Sequence, residues 1–130
     1  MILMSTKKFV TAINCMDGRV QLPVIDWMTK HATADYVDMI TEPGPNKILS
    51  ENTEFDLIQS VRKRVEISVV KHASTKIAII GHFDCAGNPV DKDTQLDQLK
   101  KAVQTIQSWG FQIPVIGLWV DDHWIVHHIL

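Results

Sequence analysis

The chain is 130 residues long and 45% hydrophobic, enough for one buried core and too short for two ordinary domains, so residues 1–130 are expected to form a single domain. Thirteen Lys and Arg against fifteen Asp and Glu give a net charge of −2 with no block of like charge. That balance excludes the basic footprint of a nucleic-acid or anionic-membrane binder and points to a small-molecule or protein partner.

The opening MILMSTKK has too short an apolar run for a secretory signal, and no stretch reaches transmembrane length. Cysteines at 15 and 85 alone do not make a secreted disulfide framework, so a cytoplasmic protein is expected. Residues 9–14 (FVTAIN) are short, apolar and β-branched, as in a strand buried on both faces. A helix is expected over about 20–31, with Pro23 tolerated in its first turn, then a second strand over 36–41 (YVDMIT). The stretch EPGPNK reads as only a turn, placed at the carboxyl edge of the strands where it can border a pocket. Ser50 or Asn52 is expected to cap a long helix in which Ile58, Val61, Val65 and Val69 recur at helical spacing up to about His72. Residues 76–81 (KIAIIG) form a third, fully apolar strand. Leu96, Leu99, Val103 and Ile106 mark an amphipathic helix, capped by Thr94 and stopped by Gly110. Residues 113–120 and 124–129 flank DDH as an antiparallel hairpin. The order predicts an α/β fold: a mostly parallel sheet of about five strands, helices on both faces and one antiparallel edge strand.

In such a sheet, ligands collect outside the carboxyl ends of the strands, where the strand order reverses. Cys15 follows the first strand, in INCMDGRV, and His82 and Cys85 follow the third, in GHFDCAGNP. Neighbouring strands lie about 5–10 Å apart, so the three side chains can converge. Two thiols and an imidazole are a recurring ligand set for Zn2+, with a fourth position left for water or substrate. The plainer alternative is that Cys15 and Cys85 are buried free thiols, with Asp17 a turn former or a helix cap preceding Val20 and Arg19 a solvated cation.

Cys15-Met16-Asp17-Gly18-Arg19 together with Gly81-His82-Phe83-Asp84-Cys85 resembles the paired signature of the β-class carbonic anhydrases, and GLWVDD resembles the stretch entering that family's last hairpin. The resemblance implies that Cys15, His82 and Cys85 ligate zinc and that Asp17 and Arg19 form the catalytic dyad beside it. The implied activity is reversible hydration of carbon dioxide to bicarbonate by zinc-bound hydroxide, or a close analogue reaction on a small heterocumulene. The different-class alternative is a non-catalytic zinc module with Asp17 as a permanent fourth ligand. The sequence departs from the family pattern at Gly18, where serine is usual, and at TEPGPN, where an Arg-Asn-Ala-Gly stretch is common. The segment after Cys85 is short, and the helical N-terminal arm that wraps a partner subunit is expected to be lacking.

Two metal-free readings explain less. An oxyanion-cradling thiol loop needs more backbone amides than the three residues between Cys15 and Arg19 supply. A redox pair of Cys15 with Cys85 leaves His82, Asp17 and Arg19 without a role. His31, His72, His123, His127 and His128 stand in no telling register with an acid or cysteine and are assigned no role. Trp27, Trp109, Trp119 and Trp124 are expected to fill core or a subunit interface. A homodimer or larger homo-oligomer is expected, with the edge segment 124–130 and its terminal Ile129 and Leu130 as the candidate interface.

Overall fold

A computed structural model describes residues 7–130. The signal-sequence reading of MILMSTKK therefore falls largely outside the described residues. The elements are β1 (Phe9–Cys15), a 3-10 turn (Gly18–Val20), α1 (Gln21–His31), β2 (Tyr36–Glu42), α2 (Pro45–Glu51) and α3 (Phe55–Glu66), which continues as a π turn (Ile67–Lys71). They are followed by β3 (Ile77–His82), α4 (Lys92–Gln107), β4 (Val115–Val120) and β5 (Val126–His128). No helix among the described residues is long and apolar enough to cross a membrane.

The five strands form one sheet in the order β2, β1, β3, β4, β5. The β2–β1, β1–β3 and β3–β4 pairs are parallel, and β4–β5 is antiparallel. Alternation along the strands sends Val10, Ala12, Ala78, Ile80 and Leu118 into a core with Val24 and Met28 of α1. Ile13, Ile77 and Ile79 enter a second core with Leu49 of α2, Val61 of α3 and Leu99 and Ile106 of α4. Helices therefore cover both faces, as the sequence predicts. The chain passes from β1 outward to β2, then crosses back over β1 to β3, so strand order reverses between β1 and β3 and opens a crevice at their carboxyl ends.

Four local expectations are corrected. EPGPNK is not only a turn: Gly44 adopts left-handed backbone at φ +64° and Pro45 opens α2, a position where its missing N–H costs nothing. Neither Ser50 nor Asn52 caps α3; Asn52 instead ends α2 in the left-handed conformation, and Glu54 precedes α3 with no side-chain cap. The cap of α4 is Asp91, whose carboxylate accepts the Thr94 N–H. The last strand is shorter than 124–129 because Trp124 takes φ +62°, which no extended strand accommodates.

Candidate metal centre

Asn14, fully buried, shapes the loop after β1. Its side chain accepts the Cys15 N–H at 2.9 Å and donates to the Val20 carbonyl at 3.1 Å. Gln21 donates to the carbonyls of Cys15 and Asp17, so the loop folds back against the start of α1. Asp17 caps the 3-10 turn by accepting the Arg19 N–H. On the neighbouring strand, β3 ends in His82, and a turn through Asp84 at φ +57° brings Cys85 back toward the crevice.

Cys15, His82 and Cys85, 3%, 1% and 4% exposed, bring one donor atom each into a group whose members all lie within 4.8 Å of one another. The two sulfurs are 3.8 Å apart and both thiols are free. His82 Nδ1–H donates to the Phe83 carbonyl at 2.7 Å, which fixes the tautomer and turns the Nε2 lone pair inward. Nε2 is the one buried side-chain polar atom among the described residues without a hydrogen-bond partner. A buried orphan of that kind is costly unless something absent from the chain engages it. With two sulfurs beside it, the donor set fits a soft divalent metal and leaves room for a fourth ligand.

The electrostatics agree with that chemistry. The contact with Cys85 lowers the Cys15 thiol well below its ordinary pKa against the opposing effect of burial, helped by His82 and by backbone groups of Gly44 and Asp17. Cys85 is pushed the other way, by the same contact and by burial, while the Gly87 and Asn88 backbones oppose the rise. A bound cation would favour the thiolate form of both. Burial pushes the His82 imidazole down, but the adjoining Cys15 sulfur and the Phe83 carbonyl outweigh it and raise it overall.

Arg19 holds Asp17 side-on, with Nη2 to Oδ2 at 2.7 Å and Nε to Oδ1 at 3.1 Å, and holds its carboxyl down at about 2. The same guanidinium reaches the Asp84 carbonyl at 3.0 Å and lies 4.6 Å from the centre of the Trp124 ring. All five sequence-predicted site residues therefore stand at one crevice, although Asp17 is not among the grouped metal-ligand atoms. A cavity of about 500 Å³ opens beside Cys85, lined by Phe83, Ala86, Pro89, Val90 and Trp119. The TEPGPN loop borders the centre, since a Cβ on Gly87 would lie 2.7 Å from the Pro43 carbonyl carbon.

Sequence reasoning missed a buried amide cluster behind His82. Gln95 bonds both its backbone polar groups, and Asn46, Asn88 and Gln98 extend the network. One signal was available: Gln95 lies four residues before Leu99 on the apolar face of α4, where a polar residue needs a partner. Two histidines set aside on register do hydrogen-bond to acids, His72 to Asp38 and His127 to Asp121, each at 2.7 Å. Neither belongs to the metal-binding group. Trp119 is buried, whereas Trp27, Trp109 and Trp124 are half-buried.

The fold is that of the β-class carbonic anhydrases. A carbonic anhydrase from Glaciozyma antarctica superposes with a TM-score of 0.60 at 14% identity, over 92% of this chain and 81% of that one. The β-carbonic anhydrase CafA of Aspergillus fumigatus gives 0.53 at 15% identity, over 95% and 75%. A tetrameric β-carbonic anhydrase of Sordaria macrospora gives 0.50 at 15% identity, over 97% and 82%. No curated protein sequence matches significantly. The family described as "Putative carbonic anhydrase" matches residues 5–130, and the chain belongs to it, as a short and divergent member.

Proposed function

We propose that residues 1–130 act as one domain that holds a single zinc ion on Cys15, His82 and Cys85 and reversibly hydrates carbon dioxide to bicarbonate, or adds water in the same way to another small heterocumulene. The observation that carries this proposal is the partnerless, inward-facing His82 Nε2 grouped with two sulfurs, beside a carboxylate already engaged by an arginine. Zinc in such a site supplies Lewis-acid chemistry, lowering the pKa of water from about 15.7 toward 7.

The chain's own residues do the rest. The backbone groups at Gly44, Gly87 and Asn88 favour the thiolate forms needed for ligation. Asp17 stays ionised and offers a carboxylate oxygen as acceptor to the attacking water, orienting its lone pair toward the carbon. Arg19 keeps that carboxylate in place, and the charge-assisted side-on pair resists its swing toward the sulfurs. The pair thereby favours the catalytic reading over the one in which Asp17 permanently fills the fourth position.

The protein is also proposed to be a cytoplasmic homodimer or higher homo-oligomer. The tetrameric state of the Sordaria macrospora relative supports assembly, as do exposed Ile125 and Ile129 at the hairpin edge. Stopped-flow measurement of carbon dioxide hydration on zinc-replete protein tests the activity. Rates at the uncatalysed background, with one zinc bound per chain, would favour the non-catalytic module; absence of bound metal would remove both readings.

A further inference from the structure

We propose that Gln95 is a positioning residue for the metal centre: its single side-chain amide grips both backbone polar groups of His82 and so sets where the imidazole Nε2 sits. The inference rests on the zinc-binding reading above. It concerns a residue outside both signature motifs, on a different element.

The need for such a grip follows from the sheet. The β1–β3 ladder ends at the pair Ile13 and Ile79, because the two strands part to open the crevice. Along β3, the Ile77 and Phe83 amides bond toward β4, to the carbonyls of Pro114 and Val120. Alternation therefore turns the N–H and C=O of His82 the other way, toward β1, where the ladder has already ended. Buried there with no strand to pair with, both groups would be orphaned. Gln95 replaces the missing strand: its Oε1 accepts the His82 N–H at 3.1 Å, and its Nε2 donates to the His82 carbonyl at 2.8 Å.

Gln95 itself is held in one orientation. It is 1% exposed, the His82 N–H and carbonyl fix which end of its amide is oxygen, and Asn46, also 1% exposed, donates to that Oε1 at 3.1 Å. Gly81 makes the approach possible. A Cβ there would stand 2.9 Å from both Asn46 Nδ2 and Gln95 Oε1. The backbone of a metal-ligating residue is thus pinned from one side by an amide on α4, while its ring is pinned from the other by the Phe83 carbonyl. Partners of this outer kind are worth about 10- to 100-fold in metal affinity.

The test is the affinity of the full chain for Zn2+, measured by competition with a chromophoric chelator, together with the thiolate-to-metal absorption of the Co2+ form. Gln95→Met, similar in volume and unable to make either bond, should weaken Zn2+ about 10- to 100-fold and alter the Co2+ spectrum. Gln98→Met, in the same amide cluster but without contact to His82, should stay within about threefold of the parent, well short of that range. Should Gln95→Met fail to fold by circular dichroism, Gly81→Ala carries the test, because its methyl displaces the gripping amide ends; the same direction of loss is expected. Parent-like affinity and spectrum in a folded Gln95→Met or Gly81→Ala protein overturns the proposal, as does an equal loss in Gln98→Met. If the parent chain itself takes up no Zn2+ or Co2+, the zinc-binding reading fails first, and the inference falls with it.

Discussion

The guanidinium of Arg19 lies 4.6 Å from the centre of the Trp124 ring while its other edge holds Asp17. Arg19 thus ties together three loops: the one after β1, the one after β3 through Asp84, and the β4–β5 hairpin. Asp84 and Trp124 both carry positive φ, backbone that non-glycine residues adopt at a cost, and both touch this side chain. Arg19→Ala is expected to retain bound zinc and lower hydration by about 100-fold or more, the scale of a positioned acid–base group. Trp124→Ala removes one cation–π contact, worth about 0.5–1 kcal/mol at an exposed site, and should cost about two- to fivefold. Rates at matched zinc content check both, and parent-like rates in Arg19→Ala would dismiss the dyad.

Elemental analysis should find close to one zinc per chain in protein purified without chelator. Cys85→Ser and His82→Ala each remove a donor from the grouped set and should strip the metal, whereas Asp17→Asn should keep it and lose activity. Zinc retained in full by Cys85→Ser would show that the metal sits elsewhere.

Gly87→Ala tests the packing of the TEPGPN loop against the Cys85 turn. Its methyl would meet the backbone and side chain of Pro43 at 2.7–2.8 Å, and backbone cannot yield as a flexible side chain does. Overpacking of this kind costs about 1–3 kcal/mol, so chemical denaturation should show a lowered midpoint.

Acid stability should carry the mark of Asp121. Its carboxyl is held down at about 2 by the His127 side chain first and by the Ile125 and His123 amides. A carboxyl depressed in the folded state contributes stability that is complete above its unfolded value, near 4, and lost as pH falls toward about 2. Asp121→Asn should therefore lower Tm at pH 7, with the gap to the parent closing between about pH 4 and pH 2. An unchanged gap across that window would assign the stabilisation to uncharged hydrogen bonding.

Light scattering at micromolar concentration should report a dimer or larger species. Ile125→Asp with Ile129→Asp places charge on the exposed hairpin edge, 56% and 37% exposed at those residues, and should shift the mass toward the monomer. A parent protein that is monomeric would remove the assembly proposal.

The fold was legible where residues answer to their neighbours in sequence. The apolar run at 76–81 reads as a strand, and Leu96, Leu99, Val103 and Ile106 recur at the spacing of a helix face turned to a core. Helix α2 escaped notice because Pro-Gly-Pro signals a turn, and seven residues carry little periodicity; burial of Ile48 and Leu49 against the sheet stabilises what local propensity does not. The helical spacing that runs on to Val69 likewise masked the π turn, where Ser68 leaves the α-helical register to meet Thr11 in the buried interior.

By itself, the sequence determined the donor chemistry: two thiols, an imidazole and an acid–arginine pair at the carboxyl ends of two apolar strands. Residue type and spacing carry that information because donor softness and strand period are local properties. Only the tertiary structure decided how those groups are held: the Nε2 of His82 turned inward, Arg19 between Asp17 and Trp124, and Gln95 where β1 no longer reaches β3. These depend on where strands diverge and which distant backbone groups are then left to be satisfied, and no spacing along the chain encodes that.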